Sequence, residues 1–131
     1  MIGQLFITQL LALEDDSIVS FKKMLASEKI EEVNDVLIFQ QPMVTDVFNN
    51  VSQSLYSPYT ISNNFLLENE AEVLAMTIDG DFICGNEQYT YCIPKNLLKS
   101  DMEKFNLPIR SFFLALESGE EQSQILPDHL F

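Results

Sequence analysis

The dipeptide Asp79-Gly80, set between two apolar runs, narrows the fold more than any other feature of this chain. Residues 73–78 lead into it and residues 81–85 lead away. Asp-Gly is a strong two-residue hairpin signal, because both residues tolerate the positive φ angles whose twist matches paired strands. Asn86-Glu87 turns the chain again, and residues 88–93, rich in Tyr and Thr, supply a third strand. Pro94 lacks an N–H and stops the pairing. Residues 72–93 therefore predict a three-stranded antiparallel meander. An exposed third strand would allow a weak homodimer; a covered one predicts a monomer.

Helical spacing flanks this meander on both sides. Ile2, Leu5, Phe6, Leu10 and Leu13 share one side of a first helix, although so apolar a run also suits a strand. Asp16 or Ser17 can cap a second helix that turns Ile18, Phe21 and Leu25 inward. Residues 36–39 form a short apolar run of buried-strand character. Val44, Val47, Phe48, Val51 and Leu55 then follow a helical repeat, which Ser57-Pro58 ends. After the meander, Ser100-Asp101-Met102-Glu103 matches a capping box and predicts a short helix through Phe105. Ile109, Phe112, Phe113 and Leu116 predict a last helix, opened by Pro108 and closed by Gly119. Residues 120–131 read as a loosely ordered polar tail with an apolar end, holding the one histidine, His129. With 131 residues and 47% hydrophobic side chains, the chain reads as one α+β domain: N-terminal helices, a small antiparallel β-meander, C-terminal helices.

Charge then limits what such a domain can meet. Twenty Asp and Glu against seven Lys and Arg leave a formal net charge of -13. Nucleic-acid binding relies on clustered cations that displace phosphate counterions, so a nucleic-acid partner is not expected. An anionic membrane surface is disfavoured for the same reason. The acids are also uneven along the chain. Residues 68–94 carry Glu68, Glu70, Glu72, Asp79, Asp81 and Glu87 with no Lys or Arg. Solubility alone explains an acidic surface. A partner with a basic cleft explains it too, since a negative patch speeds encounter and rejects wrong partners. Tyr89 and Tyr91 share a face of the third strand beside these acids, and Tyr56 and Tyr59 flank the turn at Pro58. Tyrosine suits binding surfaces, with a large apolar area and a polar tip, but ordinary sheet packing also uses it.

Little in the chain supports catalysis, a metal or a cofactor. A single histidine leaves Ser-His and Cys-His pairs and His-rich zinc sites without material. Asp79-Gly80-Asp81 begins like a calcium loop, but Ile83 and Thr90 occupy positions where oxygen ligands are required. Four scattered glycines make no phosphate-binding loop, and no G-x-S-x-G elbow occurs. Cys84 and Cys92 fall on adjacent strands, with Cys84 expected opposite Tyr89 or Thr90 and Cys92 diagonal to it, so two free thiols are expected. The apolar stretch of residues 2–13 lacks a preceding cation and is broken by Gln4, Thr8 and Gln9, unlike a signal peptide. The sequon Asn50-Val51-Ser52 then carries no meaning, and a reduced cytoplasm is the expected location.

The run from Leu74 through Met76, Thr77, Ile78, Asp79, Gly80, Asp81, Phe82 and Ile83 to Gly85 resembles the central strands of the SUKH superfamily. There a Gly-Asp-aromatic-aliphatic step commonly marks one strand. Tyr91-Cys92-Ile93-Pro94-Lys95 and Phe112-Phe113-Leu114-Ala115-Leu116 resemble that family's last strand and C-terminal helix, so the likeness covers residues 70–117. The first half departs from the family pattern. The resemblance implies an α+β fold and, in bacteria, an immunity protein that neutralises a cognate toxin, often a nuclease, without catalysis or cofactor. Two readings share the acidic surface. One is this immunity-type protein, with Glu68, Glu70, Glu72, Asp79, Asp81, Glu87, Tyr89 and Tyr91 as candidate partner-binding residues. The other is a phage- or plasmid-encoded DNA mimic inhibiting a host nuclease or repressor, for which carboxylates should follow a row spaced about 7 Å apart like phosphates. An enzymatic alternative would need two carboxylates with upward-shifted pKa values in a pocket.

Overall fold

A computed structural model describes residues 2–127 and 130–131; His129 lies outside the described residues. Among the described residues five α-helices and six strands follow one another: α1 (Ile2–Ala12), α2 (Ile18–Ser27), β1 (Glu32–Val33), β2 (Leu37–Ile38), α3 (Met43–Ser54), α4 (Asn63–Glu68), β3 (Glu72–Thr77), β4 (Phe82–Gly85), β5 (Thr90–Ile93), β6 (Glu103–Phe105) and α5 (Ile109–Ser118). The strands form one antiparallel sheet in chain order. The α+β class and the flanking helices stand as expected from the sequence.

The hairpin forms at Asp79-Gly80, but its loop spans three residues, 78–80, rather than the two expected. Only Gly80 takes a positive φ, +99°; the Gly80 N–H donates to the Thr77 carbonyl at 3.0 Å, the Thr77 N–H donates to the Asp81 carbonyl at 2.8 Å, and Met76 pairs with Phe82. A shift in pairing between Val73 and Ala75 turns Leu74 and Ala75 to the same side. Every residue of β4 and β5 is buried, because helices cover both faces of the sheet. On one face α1, α2 and α5 pack over Leu37, Ile83 and Cys92, with Phe6, Phe21, Phe39 and Phe113 meeting at ring centroids 5.4–6.3 Å apart. On the other, α3 and α4 pack over Val73, Phe82, Cys84 and Tyr91, and Phe48 meets Phe82 edge-on at 5.1 Å.

Other expectations are corrected, and the open question of the third strand is answered. The capping-box segment is a single 3₁₀ turn (Lys99–Asp101) followed by β6, not a helix through Phe105. Without residues 103–105 the backbone groups along that edge of β5 would be unpaired, and pairing with it outweighs the local helix signal. The third strand of the meander is therefore interior, and the edges are β1 and β6. Cys84 stands opposite Tyr91, not Tyr89 or Thr90, and the two thiols point to opposite faces of the sheet, both free. The C-terminal segment is packed rather than loose: Leu126 and Leu130 are buried, and Phe131 lies 5.4 Å from Phe6 and 5.6 Å from Phe113. Glu103 holds that segment to β6 by accepting from the Ser123 hydroxyl and the Gln124 N–H.

Candidate functional site

The six acids of residues 68–94 do not form one patch. β3 rises from Glu72 and β4 falls back to Gly85, so Glu68, Glu70, Glu72 and Glu87 share one end of the sheet. Asp79 and Asp81 sit on the turn at the other end. Six residues at about 3.3 Å each separate the two groups by roughly 20 Å. That exceeds the screening length of about 8 Å in physiological salt, so the two ends act as separate fields. Asp81 is also engaged locally, accepting from the Lys95 N–H at 2.9 Å and the Thr77 hydroxyl at 3.2 Å. Asp79 and Asp81 are thereby set apart from the glutamates with which they run in sequence.

The glutamate end is built by Asn86. Its side-chain oxygen accepts from the N–H groups of Gln88 and Tyr89 at 2.8 and 2.7 Å, shaping the β4–β5 turn. Its amide donates to the Asn69 carbonyl at 2.8 Å, fastening that turn to the C-terminus of α4. Glu70 follows in the left-handed region, φ +51°, while the Ala71 N–H reaches the Leu66 carbonyl to finish the helix. Glycine is the usual residue at such a position, and a side chain there costs about 1 kcal/mol or more.

The fold also adds residues that sequence distance hid. Both oxygens of Glu87 accept from the Ile18 N–H at 3.3 Å, so Glu87 caps the positive pole of α2 from 69 positions away. This brings Asp15 and Asp16, which precede α2, to the same end. The Ser17 hydroxyl and N–H, donating at 2.8 and 3.0 Å, hold the Asp15 carboxyl below its ordinary value. Lys22 pairs with Glu72 at 2.7 Å, and Arg110 pairs with Asp16 at 2.9 Å while donating to the Leu10 carbonyl. No other ion pair occurs among the described residues. Glu68, Glu70, Glu87 and Asp15 thus form no ion pair of their own, although the Arg110 charge still reaches Asp15.

The two tyrosines share a face of the sheet as their spacing implies, with ring centroids 6.2 Å apart, but they differ in burial. Tyr91 is only 2% exposed, under Phe65, whose ring meets it edge-on at 5.2 Å. It cannot touch a partner across the folded surface. Burial also pushes its phenol above the ordinary 10.0, a rise the Asn86 side chain opposes. Tyr89 is half-buried at the glutamate end, with Lys104 Nζ 4.1 Å above its ring. Tyr56 and Tyr59 are largely exposed, but α3 carries them towards the Asp-Gly end, away from the glutamates. The thiols of Cys84 and Cys92 are both raised, by burial above all, which keeps them protonated and unreactive. No group of His, Cys, Asp or Glu suited to a metal ion is found among the described residues, and no helix there is long and apolar enough to cross a membrane.

Comparison of this chain with models of protein families, with curated proteins and with solved structures finds no match.

Proposed function

We propose that this chain is a non-catalytic binding protein of the immunity type, neutralising a toxic protein with a basic cleft from within the cytoplasm. The SUKH-like motifs suggest that class. The observation that carries the reading is the glutamate end, where Glu68, Glu70, Glu87 and Asp15, drawn from three separate segments, stand at one end of the fold and form no ion pair with Lys or Arg. Like charges held together oppose folding, so a neutral surface would be easier to keep folded. A basic partner turns this liability to use, through faster encounter and selection against uncharged surfaces. The binding surface comprises Glu68, Glu70 and Glu87, with Asp15, the Lys22-paired Glu72 and half-buried Tyr89 beside them. Asp79, Asp81 and Tyr91 fall outside it.

The DNA-mimic reading is less favoured. It calls for a continuous row of carboxylates, whereas the acids of residues 68–94 divide between two ends of the sheet.

The test begins with the reading frame beside this one in its source genome. Its product is expressed alone and together with this chain, and growth is scored. Protection is expected with the native chain, accompanied by a salt-sensitive association rate. Glu68→Lys with Glu70→Lys should slow association by about tenfold or more while the circular dichroism spectrum is unchanged. Protection that survives this double reversal with an unaltered on-rate removes the glutamate end from the mechanism.

A further inference from the structure

On the helical face remote from α3 and α4, a groove of about 670 Å³ runs between α1 and α5. Its apolar walls are Ile7, Leu11, Leu107 and Leu114, and Leu11 is 64% exposed despite its apolar side chain. One end is rimmed by Glu117, Glu120 and Glu121. These lie at and just beyond the C-terminus of α5, whose helix dipole adds to the negative potential there. Among the described residues lining the groove there is no Lys or Arg. α1 itself, from Ile2 to Ala12, holds no charged residue, in a chain of net charge -13.

We propose that this groove docks an amphipathic, basic helix of a partner protein. The walls are mostly side chains of α1 and α5, whose backbone groups along the groove are bonded within each helix and so give little pairing to a ligand. An extended peptide buried there would leave its own N–H and C=O groups unpaired, whereas a helix satisfies them internally. The ten residues of α5 extend about 15 Å, matching roughly three turns of an incoming helix. The apolar stripe of that helix covers Leu11 and Leu114, and its lysines or arginines meet the three glutamates. A second copy of this chain is a poor occupant, because two surfaces carrying the same acidic rim repel each other. The proposal stands apart from the glutamate end of the sheet, and either can fail without the other.

The test uses the full chain and a labelled 14-residue peptide of leucine and lysine, with leucines at helical spacing. A scrambled peptide of identical composition serves as the control, and fluorescence anisotropy reads binding. The patterned peptide should bind at least about tenfold more tightly than the scrambled one, because only it presents an apolar stripe. Leu11→Ser should weaken it about fivefold. Glu117→Gln with Glu120→Gln and Glu121→Gln should weaken it by about tenfold and flatten its salt dependence. Glu68→Gln with Glu70→Gln should leave the affinity unchanged, and thermal melts check that each variant is folded. Equal binding of the two peptides overturns the proposal. So does an equal loss in the glutamate-end variant, which would mark bulk charge attraction. Sedimentation showing a dimer that Leu11→Ser dissolves would also overturn it, by giving the groove to a second copy.

Discussion

Replacing Tyr91 and Tyr89 one at a time by alanine separates a surface tyrosine pair from the arrangement described above. An aromatic side chain of this size buries about 150–250 Å². At about 25 cal/mol per Å², near-complete burial of Tyr91 is worth up to about 4–6 kcal/mol, an upper bound because the unfolded chain already hides some area. Alanine retains the Cβ but leaves a cavity beside Phe65, so a loss of about 3–5 kcal/mol is expected for Tyr91→Ala. Total stabilities of such domains are about 5–15 kcal/mol, so the variant should sit close to the folding threshold. Tyr89→Ala removes a half-buried ring under Lys104 and should cost about 1 kcal/mol. In urea, with a slope of about 2 kcal/mol per M, the midpoints should fall by about 2 M and about 0.5 M respectively. Tyr91→Phe adds a pH readout. The folded state holds the phenolic proton more tightly than the unfolded chain, so this contribution is whole below pH 10.0, the ordinary value, and is lost as the pH climbs past it. The native chain should lose stability above that point more steeply than Tyr91→Phe. Equal, small midpoint shifts for the two alanine variants, with no difference in alkaline slope, would mean that Tyr91 faces solvent and the register of β5 is wrong.

Other measurements bear on the same architecture. Thr90 is fully buried and its hydroxyl donates to the Leu107 carbonyl at 2.9 Å, tying β5 to the loop before α5; Thr90→Val should cost about 1–3 kcal/mol in denaturant melts by leaving that carbonyl unpaired. Cys84 and Cys92 should react with a thiol reagent only as fast as the domain opens, reaching two equivalents at once in denaturant; immediate native-state labelling of either would contradict their burial. Asp15 is held below the ordinary 3.8, so its contribution is complete above that pH and fades as the pH falls beneath it; acid titration of Asp15→Asn should show a shallower loss than the native chain. Glu70→Gly should raise stability by up to about 1 kcal/mol, since it relieves a left-handed side chain, while weakening association with a basic partner.

Much of the fold was legible because its signals are local. Gly80 favours a hairpin through a φ of +99° that few residues accept, Ser17 caps α2 by accepting from the Ser20 N–H, and Gly119 at φ +82° closes α5. The helical spacing of Val44 and Phe48 marks α3 because a 3.6-residue repeat buries one face wherever that face is pointed. β1 left a fainter trace in Asn34 and Asp35, both at positive φ, residue types that tolerate the left-handed region between short strands. Local reading failed where a neighbour decided the outcome. The capping-box pattern of Ser100 and Glu103 is outweighed by the vacant edge of β5, and the polar residues after Gly119 hide the fact that Leu126, Leu130 and Phe131 complete a core begun by Phe6.

The candidate site divides in the same way. Charge sign, net charge and the shortage of histidine belong to composition and hold for any fold this chain could adopt. Which carboxylates stand together is a property of antiparallel pairing, which sends residues seven apart, such as Glu72 and Asp79, to opposite ends of a sheet. The packing of α2 against the β4–β5 turn, where Glu87 accepts from the Ile18 N–H, brings Asp15 and Glu87 to one end, across 72 positions of chain. Which tyrosine reaches solvent depends on α4 lying over one face of β5, and no period within the strand encodes that helix. Proximity along a chain decays over a few residues, whereas an electrostatic surface is assembled from whatever the packing places within a screening length, and only the tertiary structure settles that membership.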